Sequence, residues 1–333
     1  MSKKLIVLFI ILMFIFTNVY STEKEGSNIK KIDNNLFVIK NFGGNVAFLI
    51  TEKNVVVVDS GTSFSAGKQI VDIIKGKTTK PIEYVILTHY HNDHIMGLDA
   101  FPENIKVISS EKTKDNILNI SLKQKEENVE KRYPEYIESM KEELSSIEDK
   151  ESDEYKKLEK QIKETEDFFK EYKNTKIITP GITFKKRKNI KIGNEIIELI
   201  KFPNTHTSGI SIVYFKNRKV LHISDLIFNK SYPYIDYGNG GNTKNWIKAL
   251  KNIKKMDFRA VIPGHGNIEN NKSSLERQIE YFETMRENIQ NYIDKGIKLE
   301  NIEKKLNLQQ YADYNMKRFY KQNIEAIYNE LTN

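Results

Sequence analysis

Four residues of metal-ligand type are packed into six positions of this chain, and they constrain its fold more than any other feature. His89, His91, Asp93 and His94 directly follow an apolar run at residues 84–87. That run is typical of a buried β-strand, so the cluster is predicted to form the loop at the strand's C-terminal end. The chain has only six histidines in 333 residues, and three of them in one loop indicate a metal site.

Three further candidate ligands lie downstream. His206 lies in a segment rich in Thr and Ser, Asp225 follows another apolar run, and His265 is flanked by two glycines. Imidazole and carboxylate suit zinc, and a site that keeps one position open for water is catalytic rather than structural. The chain has no cysteine, which argues independently against a structural zinc finger.

The spacing within the cluster indicates two ions rather than one. His89 and His91 are two residues apart, so both can turn toward one ion, while Asp93 and His94 can face a second. Two ions about 3.5–4 Å apart, bridged by hydroxide, supply both a nucleophile and an electrophile. We therefore predict a hydrolytic metal centre.

Hydrophobic periodicity predicts an α/β protein with two roughly equivalent halves. Strand patterns occur at residues 36–40, 46–50, 55–58, 84–87 and 105–108, and again at 190–192, 196–202, 210–215, 220–223 and 260–262. Helical patterns occur at residues 66–75 and 242–254 and from Ser273 onward, where Ser273 and Glu276 match a capping box.

Residues 112–178 have a different character and are predicted to be an inserted helical hairpin. Residues 112–175 contain no glycine, and their apolar residues recur at spacings of three and four, which is typical of a coiled-coil-like seam. Pro134 is expected to break or start the first helix. We interpret the hairpin as a solvated decoration near the mouth of the site, outside the metal shell.

The N-terminus has the pattern of an export signal. Lys3 and Lys4 precede an almost unbroken apolar stretch at residues 5–16, and Ser21 is a small residue suited to cleavage. Residues 1–21 are therefore predicted to be a signal peptide, which would make the protein periplasmic or secreted, with no stable membrane span once the signal is cleaved. An uncleaved N-terminal membrane anchor is the alternative.

The formal net charge of +8 would allow a nucleic-acid partner. However, the lysines are scattered, and no basic patch with interleaved aromatic residues occurs. We therefore expect a small-molecule substrate and no nucleic-acid partner. The sequence does not indicate an oligomeric state.

The motif His-x-His-x-Asp-His at residues 89–94 resembles the hallmark of the metallo-β-lactamase superfamily, and the downstream ligands follow in the right order. The resemblance implies an αββα sandwich over residues 30–295. The helical hairpin at residues 112–178 would be an insertion in that domain, and residues 296–333 would be a C-terminal helical extension.

The resemblance also implies two zinc ions and a role for each ligand. The first ion would be held by His89, His91 and His206, the second by Asp93, His94 and His265, and both would be bridged by Asp225. Asp59 would orient the site without touching an ion, although the sequence Asp-Ser-Gly can also simply form a turn. Ser224 departs from the pattern, because the family usually has glycine before the bridging aspartate.

One of the predicted ligands and two further residues are candidates for the reaction itself. Asp93 is the carboxylate closest in sequence to both ion sites, so it is predicted to be catalytic and to orient the attacking hydroxide. Tyr232 and Tyr234 lie on a loop after a metal ligand, where they would line the substrate pocket or form an aromatic clamp of the loop.

The predicted function is a zinc-dependent hydrolase that attacks an ester, thioester, lactone or lactam carbonyl with the bridging hydroxide. Within the family that the chain resembles, β-lactamases with a cysteine ligand are excluded because this chain has no cysteine. The resemblance also implies that Asp225 as the bridge matches thioesterase and lactonase members more than true lactamases. The alternatives are a phosphodiesterase-type metallohydrolase, a non-catalytic metal-binding protein and an iron-dependent redox relative.

Overall fold

The computed structural model describes residues 28–333. The predicted signal peptide of residues 1–21 lies outside the described residues. Within residues 28–333, no helix combines the length and the apolar character needed to cross a membrane.

The first sheet contains seven strands that follow one another in sequence order. They are β1 (Ile29–Asp33), β2 (Leu36–Phe42), β3 (Gly44–Ile50), β4 (Val55–Val58), β5 (Ile82–Ile86), β6 (Lys106–Ser110) and β7 (Ile182–Phe184). Strands β1 to β4 pair antiparallel, and strands β4 to β7 pair parallel. All four valines of β4 are buried, as expected for a strand that is covered on both faces.

The second sheet contains five strands in the order β12-β11-β10-β9-β8. They are β8 (Arg187–Ile192), β9 (Glu195–Phe202), β10 (Ile210–Phe215), β11 (Val220–Phe228) and β12 (Ala260–His265). Only β11 and β12 pair parallel. Strand β11 continues through Asp225 to Phe228, past its predicted end at residue 223.

The helices lie outside the two sheets. They are α1 (Phe64–Lys75), α2 (Asn92–Ile95), α3 (Glu111–Asn116), α4 (Leu122–Glu127), α5 (Tyr133–Ser145), α6 (Asp153–Asn174), α7 (Thr243–Ile253), α8 (Ser273–Asp294), α9 (Leu299–Lys305) and α10 (Phe319–Thr332). Ile70 of α1 packs on the first sheet, and Trp246 of α7 and Phe282 of α8 pack on the second.

Apolar side chains from both sheets form one buried layer between them. Val56 and Ile86 of the first sheet belong to the same cluster as Val213 and Ile262 of the second. Because each sheet also buries its opposite face under helices, the order of layers is helix, sheet, sheet, helix. The predicted αββα sandwich is confirmed.

The insertion forms a helical hairpin, but Pro134 does not break its first arm. Helical backbone runs without interruption from α3 to the end of α5, because π-helical turns at Ile117–Ser121 and Asn128–Arg132 join the three helices. The second of these wider turns ends just before Pro134, where it gives room to the proline ring. The second arm, α6, begins after the N-cap residue Ser152, whose hydroxyl accepts a hydrogen bond from the Tyr155 amide at 3.2 Å.

The two ends of the hairpin pack differently. At the tip, Met140, Leu158 and Ile162 form a small cluster of their own. Near the sheet, Ile117 and Tyr172 belong to the main cluster on the outer face of the first sheet. Only the tip is therefore a decoration, and the interpretation of the whole insertion as solvated decoration is wrong for the part that packs on the domain.

The C-terminal residues complete the layer of helices on the second sheet. Leu306, Phe319 and Ile327 are buried in the same cluster as Trp246. The helix before them, α8, starts without the predicted capping box, because the Ser273 amide hydrogen-bonds to Oδ1 of Asn271 at 2.9 Å. Residues 296–333 are thus helical for much of their length. Their buried apolar side chains belong to the core on the second sheet.

Candidate metal centre

All seven predicted ligands meet at one edge of the sandwich. The loop after β5 and the short helix α2 carry four of them, and the others come from the loop between β9 and β10, from β11 and from the end of β12. In that order, these residues are His89, His91, Asp93, His94, His206, Asp225 and His265. Six of the seven are buried, and His91 is partly exposed.

Three imidazoles form the first group. Nδ1 of His91 lies 3.0 Å from Nε2 of His89 and 3.0 Å from Nε2 of His206. The three rings meet edge to face, so their nitrogens converge on one point. This arrangement can bind one cation through three neutral imidazoles.

The second group combines one carboxylate with two imidazoles. Oδ2 of Asp93 lies 3.3 Å from Nε2 of His94 and 3.2 Å from Nε2 of His265. Asp93 lies in the first turn of α2, directly before His94, and this turn brings both side chains toward the end of β12.

The Asp225 carboxylate lies between the two groups. Its Oδ2 atom is 3.5 Å from Nε2 of His206 and 3.3 Å from Nε2 of His265. Its Oδ1 atom is 3.2 Å from Nε2 of His94. One carboxylate therefore faces imidazoles of both groups, as a bridging ligand must.

The donor atoms fit metal ions. Nε2 of His94 and Oδ1 of Asp225 are buried and have no hydrogen-bond partner among the residues that the structure describes. Leaving such atoms without a partner is costly, and a cation between them would satisfy both. Each group, counted with Asp225, offers four ligand atoms within 4.8 Å of one another.

Two imidazoles of the first group, those of His89 and His206, are held neutral. Burial lowers the pKa of His89 well below its usual range, and the nearby His94 and His91 lower it further. Burial and the neighbouring His91 lower the pKa of His206 to about 3. At neutral pH these two rings carry no proton that a metal ion would have to displace.

The imidazoles of the second group are held protonated when no metal is bound. Burial lowers the pKa of His94, but the carboxylates of Asp93 and Asp225 outweigh burial and raise it well above its usual range. At His265 burial is likewise outweighed, mainly by Asp225, and the pKa rises to about 9. A metal ion must therefore displace protons to bind here.

Asp59 contacts His94 from the side away from the metal groups. Its Oδ2 atom lies 2.8 Å from Nδ1 of His94, and its Oδ1 atom accepts a hydrogen bond from the Thr88 amide at 2.8 Å. A carboxylate in this place keeps the proton on Nδ1 and leaves Nε2 free to bind metal. Asp59 also has a φ of +64°, so the turn and the orienting contact occur together.

Asp236 contacts His91 as Asp59 contacts His94. This residue was not identified from the sequence. Its Oδ2 atom lies 3.2 Å from Nε2 of His91 and accepts a hydrogen bond from the Tyr90 hydroxyl. Nδ2 of Asn239 donates to its other oxygen at 2.9 Å. The only sequence signal was its place two residues after Tyr234, on the loop already suspected of lining the site.

The backbone around Asp225 has two special features, a close approach of Gly264 and a positive φ at Ser224. A Cβ atom on Gly264 would lie 1.9 Å from Oδ1 of Asp225, so only glycine allows β12 to pass so closely. Ser224 adopts a φ of +51°, a conformation that favours the glycine usual in the family. Its hydroxyl lies 2.8 Å from the Thr88 hydroxyl, which links strand β11 to the metal-bearing loop after β5.

A cleft of about 940 Å³, measured with the solvent at its mouth, opens onto the two groups. Tyr234 lines it, and its ring lies 5.3 Å from the His91 ring. Gln124 and Asn128 of the insertion and Arg318 of the C-terminal segment also line it. The insertion and the C-terminal segment thus both contribute to the walls of the site.

Tyr232 is not among the residues that line this cleft, so of the two roles predicted for it the structure favours the aromatic clamp over the substrate pocket. Its ring packs against Tyr281, Tyr314 and Tyr320, and its hydroxyl donates to the Tyr311 carbonyl oxygen at 2.7 Å. Tyr232 is buried in the same cluster as these tyrosines, so it faces the helical layer. It anchors the C-terminal segment to the loop after β11.

Comparisons with known proteins agree with this architecture. The model of the metallo-β-lactamase superfamily matches residues 40–265. The metallo-β-lactamase IND-1 of Chryseobacterium indologenes is 24% identical over 264 residues, which cover 74% of this chain and 87% of that protein.

Two solved structures share the fold. A metallo-β-lactamase from Pontibacter korlensis has a TM-score of 0.56 and 16% identity, covering 77% of this chain and 98% of that one. The stereoselective inverting sec-alkylsulfatase Pisa1 from Pseudomonas sp. has a TM-score of 0.64 and 14% identity, covering 90% of this chain and 49% of that one. These identities are low, so the two matches speak for the fold alone.

Proposed function

We propose that this chain, which belongs to the metallo-β-lactamase superfamily and is a metal-dependent hydrolase, holds two zinc ions and hydrolyses a small-molecule ester, thioester, lactone or lactam. The observation that carries the proposal is the place of Asp225 between the two groups of ligands. A carboxylate shared in this way serves a pair of ions and has little purpose beside a single one.

The residues would divide the work as follows. The first ion would be held by His89, His91 and His206, the second by Asp93, His94 and His265, and both by Asp225. When bound, zinc ions polarise a carbonyl oxygen and lower the pKa of water to about 7.

Asp93 has a second task in this proposal. Its pKa stays well below the usual range, because the nearby His94 outweighs the opposing effect of burial. As a charged carboxylate at the floor of the cleft, it would orient the attacking water and accept a proton from it. Tyr234, from the wall beside His91, would exclude bulk water from the bond to be cleaved.

Metal analysis combined with a substrate panel tests the proposal. Protein produced in zinc-supplied medium should contain about two zinc ions per chain. The panel would contain a nitrophenyl ester, an acyl thioester, an acyl homoserine lactone, a chromogenic cephalosporin and bis-nitrophenyl phosphate. Turnover of a carbonyl substrate that ends on chelation and returns with zinc is expected. Turnover of the phosphodiester alone would favour the phosphodiesterase alternative, and metal binding without any turnover would favour a non-catalytic protein.

We also propose that the protein is exported, on the strength of the residues 1–21 pattern alone. N-terminal sequencing of the protein from its native host tests this. A mature chain that begins directly after Ser21 is expected. A chain that retains residues 1–21 and sediments with membranes would instead support the anchor.

A further inference from the structure

Arg318 carries a positive charge into the cleft from outside the region that the family model matches. It directly precedes α10 and lines the cleft together with Asp93 and Tyr234. The family model ends at residue 265, so this arginine lies in the C-terminal segment beyond the matched region.

No carboxylate of residues 28–333 forms an ion pair with Arg318. Its Nε atom is buried and has no hydrogen-bond partner among these residues. Its guanidinium carbon lies 4.4 Å from the centre of the Phe319 ring, a contact that stabilises the cation without neutralising it. Burial lowers the pKa of Arg318, and the charge of Asp93 acts in the opposite direction. A partly buried guanidinium that lacks a countercharge is destabilising, and a ligand that completes the pair would offset this cost.

The backbone before Arg318 is fixed to the loop that follows Asp225. The Tyr232 amide donates to the Asn315 carbonyl oxygen at 3.0 Å, and the Asn315 amide donates to the Lys230 carbonyl oxygen at 3.0 Å. Tyr232 adds the hydrogen bond from its hydroxyl to Tyr311. The arginine is therefore positioned before any substrate arrives, which reduces the entropy lost on binding.

A second arginine in the cleft differs from Arg318 because its guanidinium is paired with a carboxylate. Arg132 of the insertion also lines the cleft, but its guanidinium forms an ion pair of 2.8 Å with Glu127. The charge of Arg132 is thus already balanced within the protein, whereas that of Arg318 is not.

We propose that Arg318 binds an oxyanion group of the substrate, so that the enzyme selects small molecules carrying a carboxylate or a sulfate near the bond to be cleaved. This inference rests on the proposed hydrolase function. The planar guanidinium can donate two parallel hydrogen bonds to such a group. Arg318 is then a specificity-determining residue, because a neutral analogue leaves the cation unpaired.

A matched pair of substrates tests selectivity. Mono-4-nitrophenyl glutarate and its methyl ester differ in one negative charge and one methyl group, and nitrophenolate release reports the hydrolysis of both. We expect the zinc-loaded protein to prefer the acid in kcat/KM, and Arg318→Gln to reduce that preference by about tenfold or more, mainly through KM. Arg318→Lys should restore part of it. Arg187→Gln, which removes the same charge from outer strand β8, should leave the preference unchanged.

A binding experiment separates failure of this inference from failure of the proposed function. Titration calorimetry would measure the affinity of glutarate, sulfate and neutral glutaramide for the zinc-loaded wild type, Arg318→Gln and Arg318→Lys. If glutarate binds more tightly than sulfate, the substrate carries a carboxylate; if sulfate binds more tightly, the substrate is a sulfate ester. In either case, Arg318→Gln should weaken binding of the preferred anion about tenfold. If the protein hydrolyses neither ester but this loss of anion binding is seen, the inference stands and the carbonyl-hydrolase proposal fails. The role of Arg318 would be overturned if wild type, Arg318→Gln and Arg318→Lys showed the same preference for the acid and the same anion affinities.

Discussion

Nδ1 of His94 lies 2.8 Å from Oδ2 of Asp59, on the side of the ring opposite the metal groups. This contact fixes the tautomer, because a carboxylate next to Nδ1 requires the proton on that nitrogen. When a metal ion displaces the other proton of the ring, Nε2 faces Asp93 and Asp225 with its lone pair. The geometry of the second group is therefore set from outside the group.

Asp59→Asn should weaken metal binding at the second group by about 10- to 100-fold. Asparagine tolerates the positive φ of this position, but its amide would donate to Nδ1 and move the imidazole proton to Nε2, where it blocks the metal. Competition with a chromophoric zinc chelator would measure both affinities. Loss of the first ion before the second in this variant would contradict the assignment.

Asp236→Asn is the matched variant for the first group. Asp236 contacts His91, as Asp59 contacts His94, so we expect the weakened affinity at the first group, again by about 10- to 100-fold. The same chelator competition applies. If the two variants lose the same ion, the division of the ligands into two groups is wrong.

The ligands close to one another in sequence could be predicted because local spacing alone places them on one loop. Asp236 and Arg318 could not, since their roles come from contacts between distant segments. Tyr232 and Tyr234 show the limit most clearly: they were equivalent in sequence, yet packing against the helical layer draws Tyr232 away from the cleft.

The strands missed by periodicity were those with few apolar residues. Strand β1 has partly or fully exposed residues throughout, and β7 has only three residues. Both lie at the edges of their sheet, where burial imposes little pattern. The insertion was recognised as helical from its seam, but a helical pattern does not reveal that Ser121 donates to the Tyr90 carbonyl oxygen at 3.0 Å.

The tip of the insertion should be dispensable. Replacing residues 140–162 by a short Gly/Ser linker removes Met140, Leu158 and Ile162 of the tip cluster and keeps α3, α4 and their contacts with the metal-bearing loops. These contacts include the hydrogen bond from the Thr113 hydroxyl to the Gly209 carbonyl oxygen at 2.7 Å. Metal content and kcat/KM should stay within about twofold of wild type, since surface changes away from a site have small effects.

A larger deletion provides the comparison. Replacing residues 121–175 also removes Tyr172 from the main core and Gln124 and Asn128 from the cleft wall. We expect a lower melting temperature and altered substrate preference. Loss of activity in the short deletion, with metal retained, would show that the tip itself takes part in catalysis.

The two groups should respond differently to pH in zinc binding. His265 has its pKa raised to about 9 and is protonated in the metal-free protein at neutral pH, so zinc must displace that proton. Affinity of the second group should therefore rise with pH up to about 9. His206, with its pKa lowered to about 3, is already neutral and imposes no such dependence.

Calorimetric titration of metal-free protein in buffers of different ionisation enthalpy would count the protons released by each ion. Between about pH 6 and about pH 8, the second ion should release more protons than the first. On acidification the second ion should leave first. Equal proton release by both ions would contradict the assignment of charge to the two groups.

Asp93→Asn separates the proposed chemical role of this residue from its role as a ligand. Asparagine keeps the size and one oxygen, but it has neither the charge nor the ability to accept a proton. We predict that kcat falls by about 10²-fold or more, the usual scale for losing a general acid–base contribution. The first ion should be retained, because none of its imidazoles lies within 4 Å of this carboxylate among the ion-pair contacts of residues 28–333.

The measurement is kcat against pH for wild type and Asp93→Asn, with metal content determined at each pH. In wild type, activity should depend on one ionisation near neutral pH, that of the attacking water. The variant should be slow across the whole range at full metal content, since added zinc cannot replace a proton acceptor. A fully metallated Asp93→Asn enzyme that is nearly as fast as wild type would remove the water-orienting role from Asp93 and leave it only as a ligand.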